Sequence, residues 1–176
     1  MRINFYALRA IYFHEMDRFR RTLIQSLLSP VLSTSLYFIV FGSVIGDYVQ
    51  KIDGISYGSY IVPGLLMLTL LTQSISNTSF GIFFPKFNGT IYEILAAPIS
   101  TVEIVIAYVG AGATKTLIVA AVIFCTSLFF AEVNVKFPLL MIFLLILVAF
   151  TFALFGFLIG LLSKNFEQMS IIPTIV

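Results

Sequence analysis

KFNGTIYEILAAPISTVE, residues Lys86–Glu103, is the longest interior stretch of this chain that does not read as lipid-like. It opens on a charge at Lys86, loosens at Asn88-Gly89, runs amphipathically over Thr90–Leu95, stops at Pro98 and restarts at Ser100-Thr101. Apolar segments long enough to cross a bilayer stand on both sides of it. Such segments around a short polar island make an all-α, polytopic membrane helix bundle, with the island at one membrane face. The island is either an ordinary connecting loop or a short capped helix that something outside the membrane can grip.

Composition agrees. Of 176 residues, 60% are hydrophobic and 10% charged, against about 25% charged in soluble domains. Mean hydropathy is +1.07, which excludes an ordinary soluble domain. A single cysteine, Cys125, leaves no intrachain disulfide framework. There is no Trp, so an aromatic belt falls to Tyr and Phe. The first 22 residues carry five Arg and no apolar core, unlike a cleavable signal.

Working outward from the loop, residues 60–83 form span two upstream. Its polar cluster includes Thr72, Gln73, Ser74, Ser76, Asn77, Thr78 and Ser79. Unpaired polar groups are costly in lipid, so Gln73 and Asn77 face other helices or a polar pathway. Residues 23–46 form span one, ending in Gly42-x-x-x-Gly46, a close-packing pattern. In residues 1–22, Phe5, Leu8, Tyr12, Met16, Phe19 and Leu23 recur at helical spacing beside five Arg. This is a basic amphipathic helix lying in the membrane interface, its aromatic face inserted and its Arg residues on lipid phosphates.

Downstream, residues 105–130 form span three and hold Lys115 two to three turns from one end. A charge at that depth costs about 2.5–3.5 kcal/mol unless paired or wetted, so Lys115 faces protein or water. Glu103, twelve residues earlier, is too far along the helix to be its partner. Residues 138–162 form span four, opening on Pro138 and closing on Gly156-x-x-x-Gly160. Residues 163–168 make a polar turn, and 169–176 begin a fifth apolar run.

No catalytic constellation is visible. Gly110–Thr116 resembles a phosphate loop, but Thr114 and Val109 stand where that loop needs glycine. His14, beside Glu15 and Asp17, reads as a surface residue. The chain is expected to bind no metal, cofactor or nucleic acid and not to be an enzyme by itself.

The loop's pattern GTIYEILAAPIS-x-x-E, carried by Gly89, Thr90, Glu93, Pro98, Ser100 and Glu103, resembles the first cytoplasmic loop of ABC-2 type transport permeases. These are the membrane subunits of ABC exporters, and the resemblance extends by span spacing along the whole chain. It implies an N-terminal connecting helix, a separate ATP-binding subunit that uses the ATP, and two permease copies in the bilayer of a bacterial inner membrane. It also implies that residues 86–101 form a coupling loop that docks on the ATPase through Gly89, Thr90, Ile91, Tyr92, Glu93, Ile94, Leu95, Pro98 and Glu103. Thr90 and Glu93 have the spacing of a capping box, with Ile91, Ile94 and Leu95 on one apolar side. Family members carry six spans, so a chain with four spans and the start of a fifth is expected to be a C-terminally incomplete permease. A non-transporting membrane scaffold or assembly factor is the other class that fits.

Charge distribution gives orientation. Seven Lys and Arg (Arg2, Arg9, Arg18, Arg20, Arg21, Lys86 and Lys164) fall on the side of the N-terminus, against Lys51 and Lys136 on the other. Positive residues stay inside, which puts Met1 and the Gly89 loop in the cytoplasm. In a Cys125→Ser background, a cysteine at Asn88 should therefore resist an impermeant thiol reagent added outside and react once the membrane is opened. Outside labelling of intact cells would reverse the topology.

Overall fold

The computed structural model describes residues 4–45, 51–52, 55–131, 133 and 135–175, with the backbone alone over 42–45, 51–52 and 171–175. Arg2, Gly46, Asp47, Asp53, Glu132, Asn134 and Val176 lie outside the described residues, and with Gly46 goes the first close-packing pattern. The fold is a helix bundle. Helix α1 is Phe5–Arg21, and α2 is Leu23–Tyr37, continuing as a π-helix over Phe38–Ile45. A two-residue antiparallel ladder follows, β1 (Lys51–Ile52) on β2 (Ile55–Ser56). Then come α3 (Tyr57–Phe87), α4 (Ile91–Ala96), α5 (Thr101–Phe130), α6 (Pro138–Leu162) and α7 (Phe166–Ile175). Among the described residues, four helical segments are long and apolar enough to cross a bilayer: Leu23–Phe41, α3, α5 and α6.

The helix ends follow local chemistry. The α3 helix starts at Tyr57 rather than at 60, because the Ser56 hydroxyl accepts the Ser59 N–H at 3.4 Å. It ends at Phe87, and Gly89 reverses the chain at φ +80°. Its 31 residues rise about 46 Å against a hydrocarbon core of about 30 Å. The end that carries Lys86 therefore has length to project from the membrane. The α5 helix starts at Thr101 rather than 105 because Ser100 and Glu103 close a capping box. The α6 helix has the expected bounds, with Pro138 in its first turn. The turn expected over 163–168 is shorter: α7 begins at Phe166, whose ring meets Phe83 and Phe87 edge-on, each 4.8 Å away.

Within the bundle, small residues set the packing. Ala107, Ala111, Ala113, Ala149 and Ala153 are fully buried. They let helices approach where no hydrophobic force separates protein from lipid. The α6 helix lies directly on α3. A Cβ on Gly156 would sit 2.5 Å from the Ile75 carbonyl oxygen, and one on Gly160 2.5 Å from that of Ser79. Gly112 of α5 receives the Thr78 side chain in the same way. Across the α3–α6 seam the Ser74 hydroxyl donates to the Ala149 carbonyl at 2.7 Å. Outward, α6 shows Leu139, Phe143, Leu147, Phe150, Leu154 and Leu158. In water that patch would drive aggregation, whereas in a bilayer it is the lipid contact.

Because the atoms facing Gly156 are backbone, Gly156→Ala should lower stability by about 1–3 kcal/mol through overpacking. Thermal unfolding in detergent reads this. Gly64→Ala, with nothing within 4 Å of its new methyl, should leave the midpoint unchanged or raise it.

Candidate functional site

Two polar assemblies stand out from the apolar bundle. The first is the corner between α3 and α5. The α4 helix sits there as a single turn and a half, with Ile91 and Ile94 packed against the core. Tyr92 is 73% and Leu95 63% exposed, and Glu93 is exposed as well. The apolar side expected of Ile91, Ile94 and Leu95 is thus divided: the isoleucines hold α4 to the bundle, and Leu95 joins Tyr92 outside. The capping box expected at Thr90 and Glu93 does not form. Thr90 has helical dihedrals (φ −65°, ψ −14°), so its hydroxyl turns back to donate to the Pro85 carbonyl at 3.3 Å. A cap that accepts the N3 amide needs extended backbone, which Ser100 has at ψ 151°. Pro98 ends the run as expected, with the Ile99 N–H donating to the Ala97 carbonyl around it at 2.7 Å.

Glu103 is buried behind α4 rather than displayed beside it. One carboxylate oxygen accepts the Ser100 N–H at 2.9 Å. The other accepts the Asn4 N–H at 2.6 Å, and the Asn4 side chain caps α1 in turn. One carboxylate therefore joins the starts of α1 and α5. On the far side of α4, the Lys86 ammonium donates to the Leu161 and Ser163 carbonyls at 2.6 and 2.9 Å. It caps the negative end of α6 from the end of α3. The short helix is flanked by ties to α1, α5 and α6.

The second assembly lies deeper. Lys115 is 4% exposed and its ammonium donates to Glu15 Oε2 at 2.7 Å. Arg18 donates to the same oxygen at 2.8 Å and lays its guanidinium over the Phe80 ring, 5.4 Å from the centroid. Lys115 faces protein, as its depth required, and Glu103 is not its partner. That partner, Glu15, sits on α1 and is 2% exposed. Its stripe gives the signal in hindsight: Glu15 follows Tyr12 by three residues and precedes Phe19 by four, so it shares their face. Tyr12 hydrogen-bonds Thr114 at 3.1 Å, and Phe19 packs against Val119 and Ile123. The α1 helix thus docks on α5 through this face, while Phe5, Tyr6 and Phe13, and the side chain of His14, are exposed. Lipid phosphates were expected to hold all the arginines, but Arg18 turns inward.

Beside this cluster a cleft of about 1050 Å³ runs between α2 and α3. Gln73, Ser76, Asn77 and Thr72 line it, with Arg18 and Lys115 at one end. The polar cluster of α3 is split between two uses. Ser74, Thr78 and Ser79 are buried in the bundle; Gln73 and Asn77 reach the cleft, Asn77 also donating to Thr116 at 3.3 Å. Among the described residues no group of three His, Cys, Asp or Glu side chains could hold a metal ion.

Known proteins place this architecture. The family model of the ABC-2 type transporter matches residues 6–176. This chain belongs to that family. It is 38% identical over all 176 residues to the inner membrane transport permease YadH of Escherichia coli K12, covering 69% of that protein, and equally so to YadH of Shigella flexneri. No solved structure matches. The chain is accordingly a multi-pass membrane permease subunit of an ABC transporter.

In this permease, removing Glu15 strands the buried Lys115, at about 3–5 kcal/mol, whereas removing Lys115 leaves Glu15 still paired with Arg18. Glu15→Leu should therefore lower the unfolding midpoint sharply, Lys115→Leu should lower it less, and adding Lys115→Leu to Glu15→Leu should regain part of the loss. A double-mutant cycle in detergent measures it; additive losses would mean the pair does not interact.

Proposed function

We propose that α4 and its corner are the surface on which a separate ATP-binding subunit docks, and that ATP-driven motion of that subunit reaches the bundle there. One observation carries this. Tyr92, Glu93 and Leu95 project from a helix too short to stand alone, and polar ties around it lead to three other helices. An exposed aromatic and an exposed leucine beside a carboxylate suit a groove on a partner protein. The coupling set Gly89, Thr90, Ile91, Tyr92, Glu93, Ile94, Leu95, Pro98 and Glu103 then divides by role. Tyr92, Glu93 and Leu95 touch the partner. Ile91 and Ile94 seat the helix, and Gly89, Thr90 and Pro98 shape its ends. Glu103 passes the displacement to α1 and α5.

In this reading the chain sits in a bacterial inner membrane with Met1 and α4 on the cytoplasmic side, following its Lys and Arg bias. ATP hydrolysis belongs to the partner, and this chain binds no cofactor and catalyses nothing alone. Two copies of the permease assemble around the transport path, with Gln73, Asn77 and Lys115 near it.

Leu95→Asp should abolish capture of the ATP-binding subunit with the permease still inserted at wild-type level. Thr90→Ala, which removes only the 3.3 Å bond to Pro85, should weaken capture slightly. Co-purification and transport-stimulated ATP hydrolysis read both. Wild-type capture by Leu95→Asp would remove α4 from the interface.

A further inference from the structure

We propose that the outward face of α1 binds anionic phospholipid headgroups and draws them inward beside α5, thinning the leaflet at the α4 end of the bundle.

Depth is the first argument. The bonds between α1 and α5 join Asn4 to Glu103, Tyr12 to Thr114 and Glu15 to Lys115, pairs 99, 102 and 100 residues apart. With so nearly constant an offset, the two helices run side by side in one direction. The α1 helix therefore stands along a spanning helix instead of lying flat on the membrane. The 30 residues of α5 rise about 45 Å against a hydrocarbon core of about 30 Å. Counted back from Phe130, about ten residues at the start of α5 fall outside that core. By the same offset Asp17, Arg20 and Arg21 stand level with Leu117, Ala120 and Ala121, well past that limit. All three are exposed, and charges at such depth are costly in hydrocarbon. Nor could an apolar helix cover them without stranding the same charges. Span one agrees: its apolar run begins only at Leu23, which packs with Phe19 against Val119 and Ile123, more than halfway along α5. On this side of the bundle hydrocarbon starts where α2 starts.

The chemistry of the face is the second argument. The stripe expected to enter lipid is spent on protein, with Tyr12 and Phe19 turned onto α5. The outward face is a different one, and it interleaves Tyr6 and Phe13 with Arg9, Arg20 and Arg21, all exposed. The Arg9 guanidinium lies over the Phe13 ring, 5.3 Å from its centroid. Among the described residues no carboxylate pairs with Arg9, Arg20 or Arg21. Helical side chains lean toward the N-terminus, which for α1 is the direction of the leaflet surface, so Arg20 and Arg21 reach back toward headgroups. Three arginines against one aspartate favour an anionic headgroup over a zwitterionic one, and aromatic rings beside them suit the same interfacial layer.

The test uses the full chain in nanodiscs of mixed phosphatidylcholine and phosphatidylglycerol, in a Cys125→Ser background. A nitroxide on Asp17→Cys should be relaxed more by a water-soluble nickel chelate than by oxygen. A nitroxide on Ala121→Cys, exposed on α5 about one turn further in, should be relaxed more by oxygen. Phosphatidylglycerol retained by the wild-type chain on extraction into detergent should be enriched at least threefold over its share of the mixture. Replacing Arg9, Arg20 and Arg21 together by Gln should abolish that enrichment, and replacing them by Lys should keep most of it. Should the triple Gln variant fail to assemble, Arg20→Gln alone should lower the enrichment, and the two nitroxides, which leave every arginine in place, still read the depth. An Asp17 label that answers chiefly to oxygen overturns the proposal. So does one that answers to neither relaxant, which would mean that protein covers the face. A wild type without enrichment, or Gln variants that keep it in full, would equally overturn it.

Discussion

The ion pair between Glu15 and Lys115 is the constraint from which the arrangement of this bundle follows. A lysine about four turns into α5 must find an anion or water, and the acid on α5 itself, Glu103, lies twelve residues away. The anion comes from α1, so α1 cannot lie free on the membrane surface. It is held along α5 by the charge, by the bond between Tyr12 and Thr114, and by Phe19 against Val119 and Ile123. Bringing Glu15 in also brings Arg18, and with Arg18 the positive end of the cleft. A buried pair is seldom a net source of stability. Here it fixes the register of an element that an amphipathic stripe alone would leave free to slide or roll.

A second set of bonds converts four helix ends into one body. Glu103 spends both oxygens on backbone amides at the starts of α5 and α1, and Lys86 spends its ammonium on carbonyls at the end of α6. Such bonds satisfy backbone groups that every helix terminus leaves open. They also tie the α4 corner to α1, α3, α5 and α6.

The spans were legible because hydropathy averages over some twenty residues and survives local error. Residues 138–162 came out to the residue since Pro138 and Ser163 bound an unbroken apolar run. Contacts were less legible. Thr90-x-x-Glu93 and Ser100-x-x-Glu103 share one pattern, yet only the second closes. The pattern counts residues, whereas the cap depends on ψ, which Gly89 and Pro98 set differently for the two. Glu15 was read beside exposed His14, its neighbour in sequence, and not with Tyr12 and Phe19, its neighbours on the helix face. The seven polar residues between Thr72 and Ser79 raised a choice between packing and pathway. Spread around two turns of helix they cannot share a face: Ser74 and Thr78 pack within the bundle, while Gln73 and Asn77 reach the cleft.

Both anchors of α1 lie far downstream: Asn4 meets Glu103, 99 residues on, and Glu15 meets Lys115, 100 residues on. During synthesis at about 5–20 residues per second, α1 therefore waits roughly 5–20 s before its dock exists. Throughout that interval Glu15 lacks Lys115, while α2 and α3 are already being inserted. The α1 helix is made before α2 and α3 and docked after them. Any chaperone or lipid surface that shelters a nascent amphipathic helix acts on this chain in that window, and a stall in translation before residue 115 would leave its earliest segment undocked.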